Sequence, residues 1–379
     1  MSDVVKDLKI YAMATDPIYI GTGGYTIGRV DNTIVRDPIT NVPKIPGSSL
    51  AGTWRYYVVL EALKDIKDKQ PNWDDIKNHN GDTLKTIGEK LENYNWNNNK
   101  PSTPWKAFSG NQIIKIKCAG QDDAPQVPLE KAPESTGHCG HCIVCKGFGF
   151  SKKDISWQGQ IFFSDLNILF FPVFTMKGTK WITTASRLRE VGVNSIEEPS
   201  DKKIKAIVEG SEDNKYLNLG WLYLEVEGSH NIEKDDSKSF KFNNFELEPE
   251  DIIIVPENLF PHIVNSNLEV RTSVSIDPIT GAAKEGALFT SEAIPRGTIF
   301  YGSIRIFDKK NFEDLESKLK PLPDVSLLEQ ALEDSKHFYE TLGIGGMTTR
   351  GFGRLKINMK ECFESETNGG DRDEQSANQ

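Results

Sequence analysis

The chain has 379 residues, enough for one elaborated domain or for two or three small ones with a sizeable core. Its 37% hydrophobic and 26% charged residues are those of an ordinary soluble protein, and the longest apolar run, Ile-Leu-Phe-Phe-Pro-Val-Phe at 168–174, is too short to span a bilayer. A formal charge of −10 argues against a protein that coats nucleic acid indiscriminately, although the acids are concentrated in a few polar segments and a basic face is compatible with that total.

The opening MSDVVKDLKI is polar and mixed in charge, unlike a signal peptide, so cytoplasm is the expected compartment and no membrane partner is expected. Residues 8–20, LKIYAMATDPIYI, alternate as a strand does. GTGGYTIG follows as a flexible turn, and then comes a loop unlike a plain connector. It carries Asp31 between Arg29 and Arg36, then Lys44, and ends in Gly47-Ser48-Ser49, a good helix start with hydroxyls placed to cap open amides. Helix N-termini attract phosphates, so the loop has the makings of an anion site. Asp31 as a turn-forming residue and Asp37 as a structural residue before Pro38 are the competing readings, and composition does not separate them. Leu50, Trp54, Tyr57 and Val58 recur at helical spacing, so the helix buries one face, with Arg55 off that stripe.

Residues 64–156 are broken by Asn, Lys and Pro and read as an insertion. Within it, GHCGHCIVCKGFGF (137–150) places Cys139, Cys142 and Cys145 at Cys-x2-Cys-x2-Cys spacing. Three thiolates in seven residues point to a soft metal, with zinc expected. A tetrahedral ion needs a fourth ligand, for which His138 is favoured while His141 and Cys118 stay open. The alternatives are an iron–sulfur cluster, which needs a fourth thiolate, and three reduced structural thiols.

Residues 157–164 and 166–174 are expected to pair as strands, Thr184–Glu190 to begin a short helix, and 217–226 to form one strand between polar stretches at about 195–250. The segment 269–307 alternates around a turn-rich centre, Ser275 to Gly281, and predicts a long hairpin with apolar residues at its tip. A helix at Ser326–Leu342 precedes Gly-Ile-Gly-Gly-Met-Thr-Thr-Arg-Gly-Phe-Gly (343–353). That string is neither a Walker A loop nor a Rossmann fingerprint, since it follows a helix and enters a strand. Its glycines permit close approach to a phosphate that Arg350 and Arg354 could pair with; a tolerant tight turn is the equal alternative. Residues 361–379 are acidic and nearly devoid of apolar side chains, and read as a disordered tail. The order of elements predicts an α+β fold around a modified ferredoxin-like (RRM-like) sheet in a single domain over 1–360.

Three stretches together resemble one family: TDPIYIGTGGYTIGRVDNTIVRDPITNVPKIPGSSLAG, IDPITGAAKEGALFTSEAIPRGTIF and GIGGMTTRGFGRLKI. They look like the N-terminal signature, the thumb hairpin (here about 262–295) and the C-terminal glycine-rich loop of RAMP superfamily backbone subunits of type III CRISPR effector complexes. The cysteine cluster resembles the zinc site of many members, a staple for the insertion. FFSDLNILFFPVFTMKGTKWITTASRL looks most like the Cmr-type subunit, while Asp-Asn-x-Ile-Val-Arg-Asp-Pro and the thumb are shared with the Csm-type equivalent.

The resemblance implies a palm-and-thumb subunit that polymerises with copies of itself along CRISPR RNA, beside other effector subunits, and cuts complementary target RNA at periodic sites. It implies Asp31 as the catalytic residue with Mg²⁺ or Mn²⁺. Arg29, Arg36, Lys44, Ser48, Ser49 and Arg55 match positions near the RNA backbone, and Gly345, Gly346, Arg350, Gly351 and Gly353 match the guide-cradling loop. His138, Cys139, Cys142 and Cys145 are the expected zinc ligands. A guide-binding scaffold without cleavage and a zinc-stapled interaction protein that binds no RNA are the rival functions.

Overall fold

A computed structural model describes residues 4–23, 30–69, 103–107, 118, 138, 140, 142–151, 156–194, 196–207, 216–230, 232, 240–242, 244–312 and 322–359. Arg29, Cys139, His141, most of the 64–156 insertion and the tail 361–379 lie outside the described residues. The fold is mixed α+β with a large sheet, and its contacts group into two compact units.

The first unit comprises residues 1–9, 45–166 and 302–344. Helix α1 (Gly47–Lys69) starts at the Gly-Ser-Ser opening, but the expected serine cap is replaced: Ser48 and Ser49 lie inside the first turn, and Asp165 Oδ1 accepts the Gly47 amide at 2.8 Å. The stripe Leu50, Trp54, Tyr57 and Val58 is buried, as the spacing requires. The indole of Trp54 donates to the Leu332 carbonyl and Ser335 Oγ, both at 3.1 Å, on the helix Val325–Ser335. Tyr339 stacks edge-on against Tyr57 with ring centres 4.9 Å apart. The helix expected over 326–342 breaks after Ser335, whose hydroxyl bonds back to Ala331 O and competes with the helical ladder; Phe338–Thr341 is a separate turn of helix.

The second unit comprises residues 10–44, 167–301 and 345–379. Its sheet runs Leu355–Asn358, Val5–Ala14 (from Ile10), Ile299–Phe307 (to Tyr301), Leu166–Thr175 (from Asn167), Gly178–Thr183, Ile252–Ile254, Lys203–Ala206, Leu222–Gly228 and Tyr216–Leu219. Most neighbours are antiparallel; Ile252–Ile254 with Gly178–Thr183, and Lys203–Ala206 with Leu222–Gly228, are parallel. Leu166–Thr175 is buried on both faces along most of its length, which accounts for its unbroken apolar sequence. Phe170, Phe240, Phe242, Leu188 and Ile254 form much of the core.

Several expected elements are redrawn. The strands at 157–164 and 166–174 do not pair with each other. Ile161–Phe163 pairs with Ile304–Ile306 in the first unit, and Asn167–Phe170 with Ile299–Tyr301 in the second. A two-residue hairpin needs positive φ in its turn, which neither Ser164 nor Asp165 adopts. The single strand expected at 217–226 is a hairpin that turns at Gly220 (φ 61°). The segment 269–307 contains the predicted hairpin, Glu269–Ile276 with Ala283–Ala293, but its last nine residues, Ile299–Phe307, are a sheet strand. The first strand ends at Ala14 rather than at residue 20, and Ile18 makes an isolated bridge to Ile294. Among the described residues no helix is long and apolar enough to cross a membrane.

Candidate functional site

In the second unit the loop around Asp31 is sewn onto the return strand of the Glu269–Ala293 hairpin. Asp31 is exposed, yet its Oδ2 accepts the Thr290 amide at 2.8 Å and the Thr290 hydroxyl at 2.9 Å, while the Asp31 amide donates to Thr290 Oγ1 at 3.1 Å. These donors, the amide first, hold the carboxyl below the usual carboxylate range. Oδ1 has no hydrogen-bond partner among the described residues, so an ionised carboxylate is held by one oxygen and open at the other. Asn32 donates to Thr290 O at 3.0 Å and accepts from the Glu292 amide at 3.0 Å, continuing the seam.

Arg36 and Lys44 lie in the same loop, but both are engaged within the chain. The Arg36 guanidinium reaches Glu292 at 2.8 Å, Asn265 at 2.9 Å and Ile34 O at 3.0 Å. Lys44 pairs with Asp37 at 3.2 Å. Asp37 is held down to about 2 by the Thr40 amide, then by the Ile39 amide, Lys44 and the Thr40 hydroxyl.

The hairpin is a two-stranded arm with exposed apolar side chains along it: Val270, Val274, Ile276 and Leu288. Its turn, Asp277-Pro278-Ile279-Thr280-Gly281, repeats Asp37-Pro38-Ile39-Thr40-Asn41, a tetrapeptide identity the sequence reading passed over. The two turns have one geometry. Each Asp carboxylate accepts the amides two and three residues on, each Asp carbonyl accepts the amide four residues on at 2.9 Å, and that fourth residue is left-handed (Asn41 φ 58°, Gly281 φ 66°). Each turn presents its isoleucine to solvent, Ile39 at 92% and Ile279 at 93% exposure. The duplicated Asp-Pro-Ile-Thr is the signal that would have identified the second tip.

The glycine-rich string lies against residues 17–20. Gly345 (φ 81°) comes so close that a Cβ there would stand 2.2 Å from Tyr19 O, and Gly346 donates to that same oxygen at 3.0 Å. Gly353 donates to Pro17 O at 2.9 Å. Gly351 faces the hairpin base: Arg271 donates to Gly351 O at 3.4 Å and stacks over Phe352 at 4.7 Å. Arg354 pairs with Asp16, while Arg350 is exposed.

In the first unit the thiols of Cys118, Cys142 and Cys145 are buried and lie within 4.8 Å of one another, with Cys142 and Cys118 sulfurs 3.5 Å apart. Thiolates on one tetrahedral zinc stand about 3.8 Å apart, given zinc–sulfur bonds of about 2.3 Å, so the trio fits three vertices. The spacing-based set is thus joined by Cys118 from a distant part of the insertion. His138 Nδ1 is 3.9 Å from Cys145 Sγ. Cys142 caps the short helix Ile143–Phe148, its sulfur accepting the Cys145 amide at 3.4 Å. Arg55 of α1 turns to this centre: it donates to Cys118 O at 2.9 Å, Gly149 O at 2.5 Å and His138 Nδ1 at 2.8 Å. Ser48 is exposed and Ser49 half-buried at the opening of the same helix.

Residues 12–356 match the RAMP superfamily. A curated relative, the CRISPR system Cmr endoribonuclease Cmr4 of Pyrococcus furiosus, is 28% identical over 227 residues, covering 56% of this chain and 72% of the relative. The CRISPR system Cms endoribonuclease Csm3 of Streptococcus thermophilus is 40% identical over 50 residues, 13% of this chain and 23% of that one. Among solved structures, the cryo-EM structure of the Type III-B Cmr-beta bound to cognate target RNA aligns with a TM-score of 0.50 and 15% identity, covering 93% of this chain and 96% of that one; at this identity the likeness is one of fold.

Proposed function

The chain belongs to the RAMP superfamily, and from that premise we propose that it is a Cmr-type backbone subunit of a type III CRISPR effector complex. It binds CRISPR RNA in a filament of its own copies alongside other effector subunits, and cuts complementary target RNA at periodic sites. A ferredoxin-like palm over 1–360 carries the hairpin as a thumb, about 262–295, and the 64–156 insertion is stapled by zinc. The fourth ligand beyond Cys118, Cys142 and Cys145 comes from Cys139, His138 or His141.

The observation that carries the catalytic reading is the carboxylate of Asp31, ionised, anchored through Oδ2 to the exposed hairpin and open at Oδ1. A thumb that displaces one base pair leaves a kinked ribonucleotide beside that oxygen. The 2′-oxygen then bonds to its own phosphorus as the bond to the 5′-oxygen of the next nucleotide breaks, with the 2′-hydroxyl proton leaving and the 5′-oxygen gaining one. The kink contributes alignment, and alignment alone supplies several kcal/mol. Asp31 Oδ1 would be the protein ligand to Mg²⁺ or Mn²⁺, which would neutralise phosphate charge when bound. Arg29, Ser48, Ser49 and Arg350 hold RNA backbone, and the loop of Gly345, Gly346, Gly351 and Gly353, braced on residues 17–20 and Arg271, supplies the shape of the cradle, since base pairing reads the sequence and the protein needs only shape and phosphate contacts.

A scaffold without cleavage is favoured by one observation: Arg36 and Lys44, expected beside the phosphates, are committed to Glu292 and Asp37. Asp31→Ala in the assembled complex separates the two. Loss of the periodic fragments with guide binding retained is expected; an unchanged ladder means that Asp31 is not the catalyst. Native complex lacking any short co-purified RNA would overturn both readings in favour of a zinc-stapled interaction protein.

A further inference from the structure

We infer that Thr290, on the return strand of the hairpin, is the positioning residue for Asp31, so that the arm meeting the target strand also carries the anchor of the acid. This rests on Asp31 being the catalyst.

Three hydrogen bonds join the two residues across 259 positions of sequence, and the hydroxyl takes part in two of them, donating to Oδ2 and accepting from the Asp31 amide. The Thr290 amide and carbonyl both serve the loop, the carbonyl through the Asn32 amide. Thr290 opposite Thr272 is therefore a non-hydrogen-bonded rung of the hairpin ladder, the kind whose backbone groups point outward. That leaves them available to a neighbouring segment. An exposed aspartate on a loop otherwise samples several rotamers, and these bonds offset the entropy lost in ordering it. With Oδ2 held by Thr290, the carboxylate has a fixed orientation in which Oδ1 has no partner among the described residues.

Geometry also connects the anchor to the arm's apolar surface. Val274 opposite Leu288 is the rung two residues further out, about 7 Å along the strand and on the same face as Thr290. Both side chains are exposed. A nucleotide pressed against that rung lies one step from the held carboxylate. On the other edge, Arg271, opposite Ser291, reaches the glycine-rich loop. One stretch of hairpin thus fixes the acid, the apolar pair and the loop in a common frame.

The test uses the assembled complex with guide RNA, comparing Thr290→Val, Thr290→Ser and Asp31→Ala. Valine keeps the shape and the backbone bond but removes both hydroxyl bonds. Expected are target affinity within about twofold of the parent, a single-turnover cleavage rate lowered about 10- to 100-fold by misplacement of the acid, and faster amide exchange at Asp31 and Asn32. Serine restores rate and protection. Thr290→Val cutting at the parental rate, or Thr290→Ser as slow as valine, overturns the role of the hydroxyl while a dead Asp31→Ala leaves the catalytic reading standing. Parental cleavage by Asp31→Ala overturns that reading instead.

Discussion

Replacing Arg55 by alanine distinguishes two jobs for one cation. The sequence resemblance places Arg55 near RNA backbone, whereas in the structure its guanidinium donates to Cys118 O, Gly149 O and His138 Nδ1 at 2.5–2.9 Å. Hydrogen bonds from a charged donor contribute roughly 1.5–3 kcal/mol each. Arg55 is only half-buried and the freed carbonyls regain some water, so the net cost is about 3 kcal/mol, well below the sum. For a chain of 379 residues, whose unfolding entropy grows by about 2.1 cal/mol/K per residue, that lowers the midpoint by roughly 4 °C. The loss falls on the segment holding the thiols, so the metal of the proposed zinc site should be stripped by a chelator at lower concentration than from the parent. Arg55→Lys should not rescue, because a single ammonium cannot span three acceptors. Calorimetry with metal analysis along a chelator titration reads both effects. Unchanged melting and metal retention, with weaker guide binding and a salt slope reduced by about one, would refute the reasoning and make Arg55 a phosphate contact.

Two further perturbations test the same frame. Asp37 titrates in the folded chain at about 2 against an ordinary 3.8, so the stability it contributes is present above about pH 4 and fades as pH falls toward 2; Asp37→Asn should flatten that stretch of an acid-unfolding curve, and an identical acid limb would contradict the role given to the Thr40 amide. Cys142→Ser or Cys145→Ser should each lower bound zinc below stoichiometric and reduce thermal stability, as loss of one vertex from a structural site does; full zinc occupancy in the double variant would show that the ion sits elsewhere.

Local order was legible from the chain itself. The stripe on α1, its Gly-Ser-Ser opening, the short helix capped by Thr184, the arm around Asp277 and the α+β character all follow from periodicity and turn chemistry within a dozen residues. Partnership was not. Which strands lie beside 161–163 and 167–170 and which donors surround Asp31 depend on groups far apart in sequence. The same holds for the charges: Arg36 meets Glu292 and Arg55 meets His138 only after the backbone has closed loops of 256 and 83 residues, respectively. A side chain's type states which bonds it is able to make. Packing alone selects the one it keeps, because every buried or half-buried donor takes whichever acceptor the fold brings within about 3 Å.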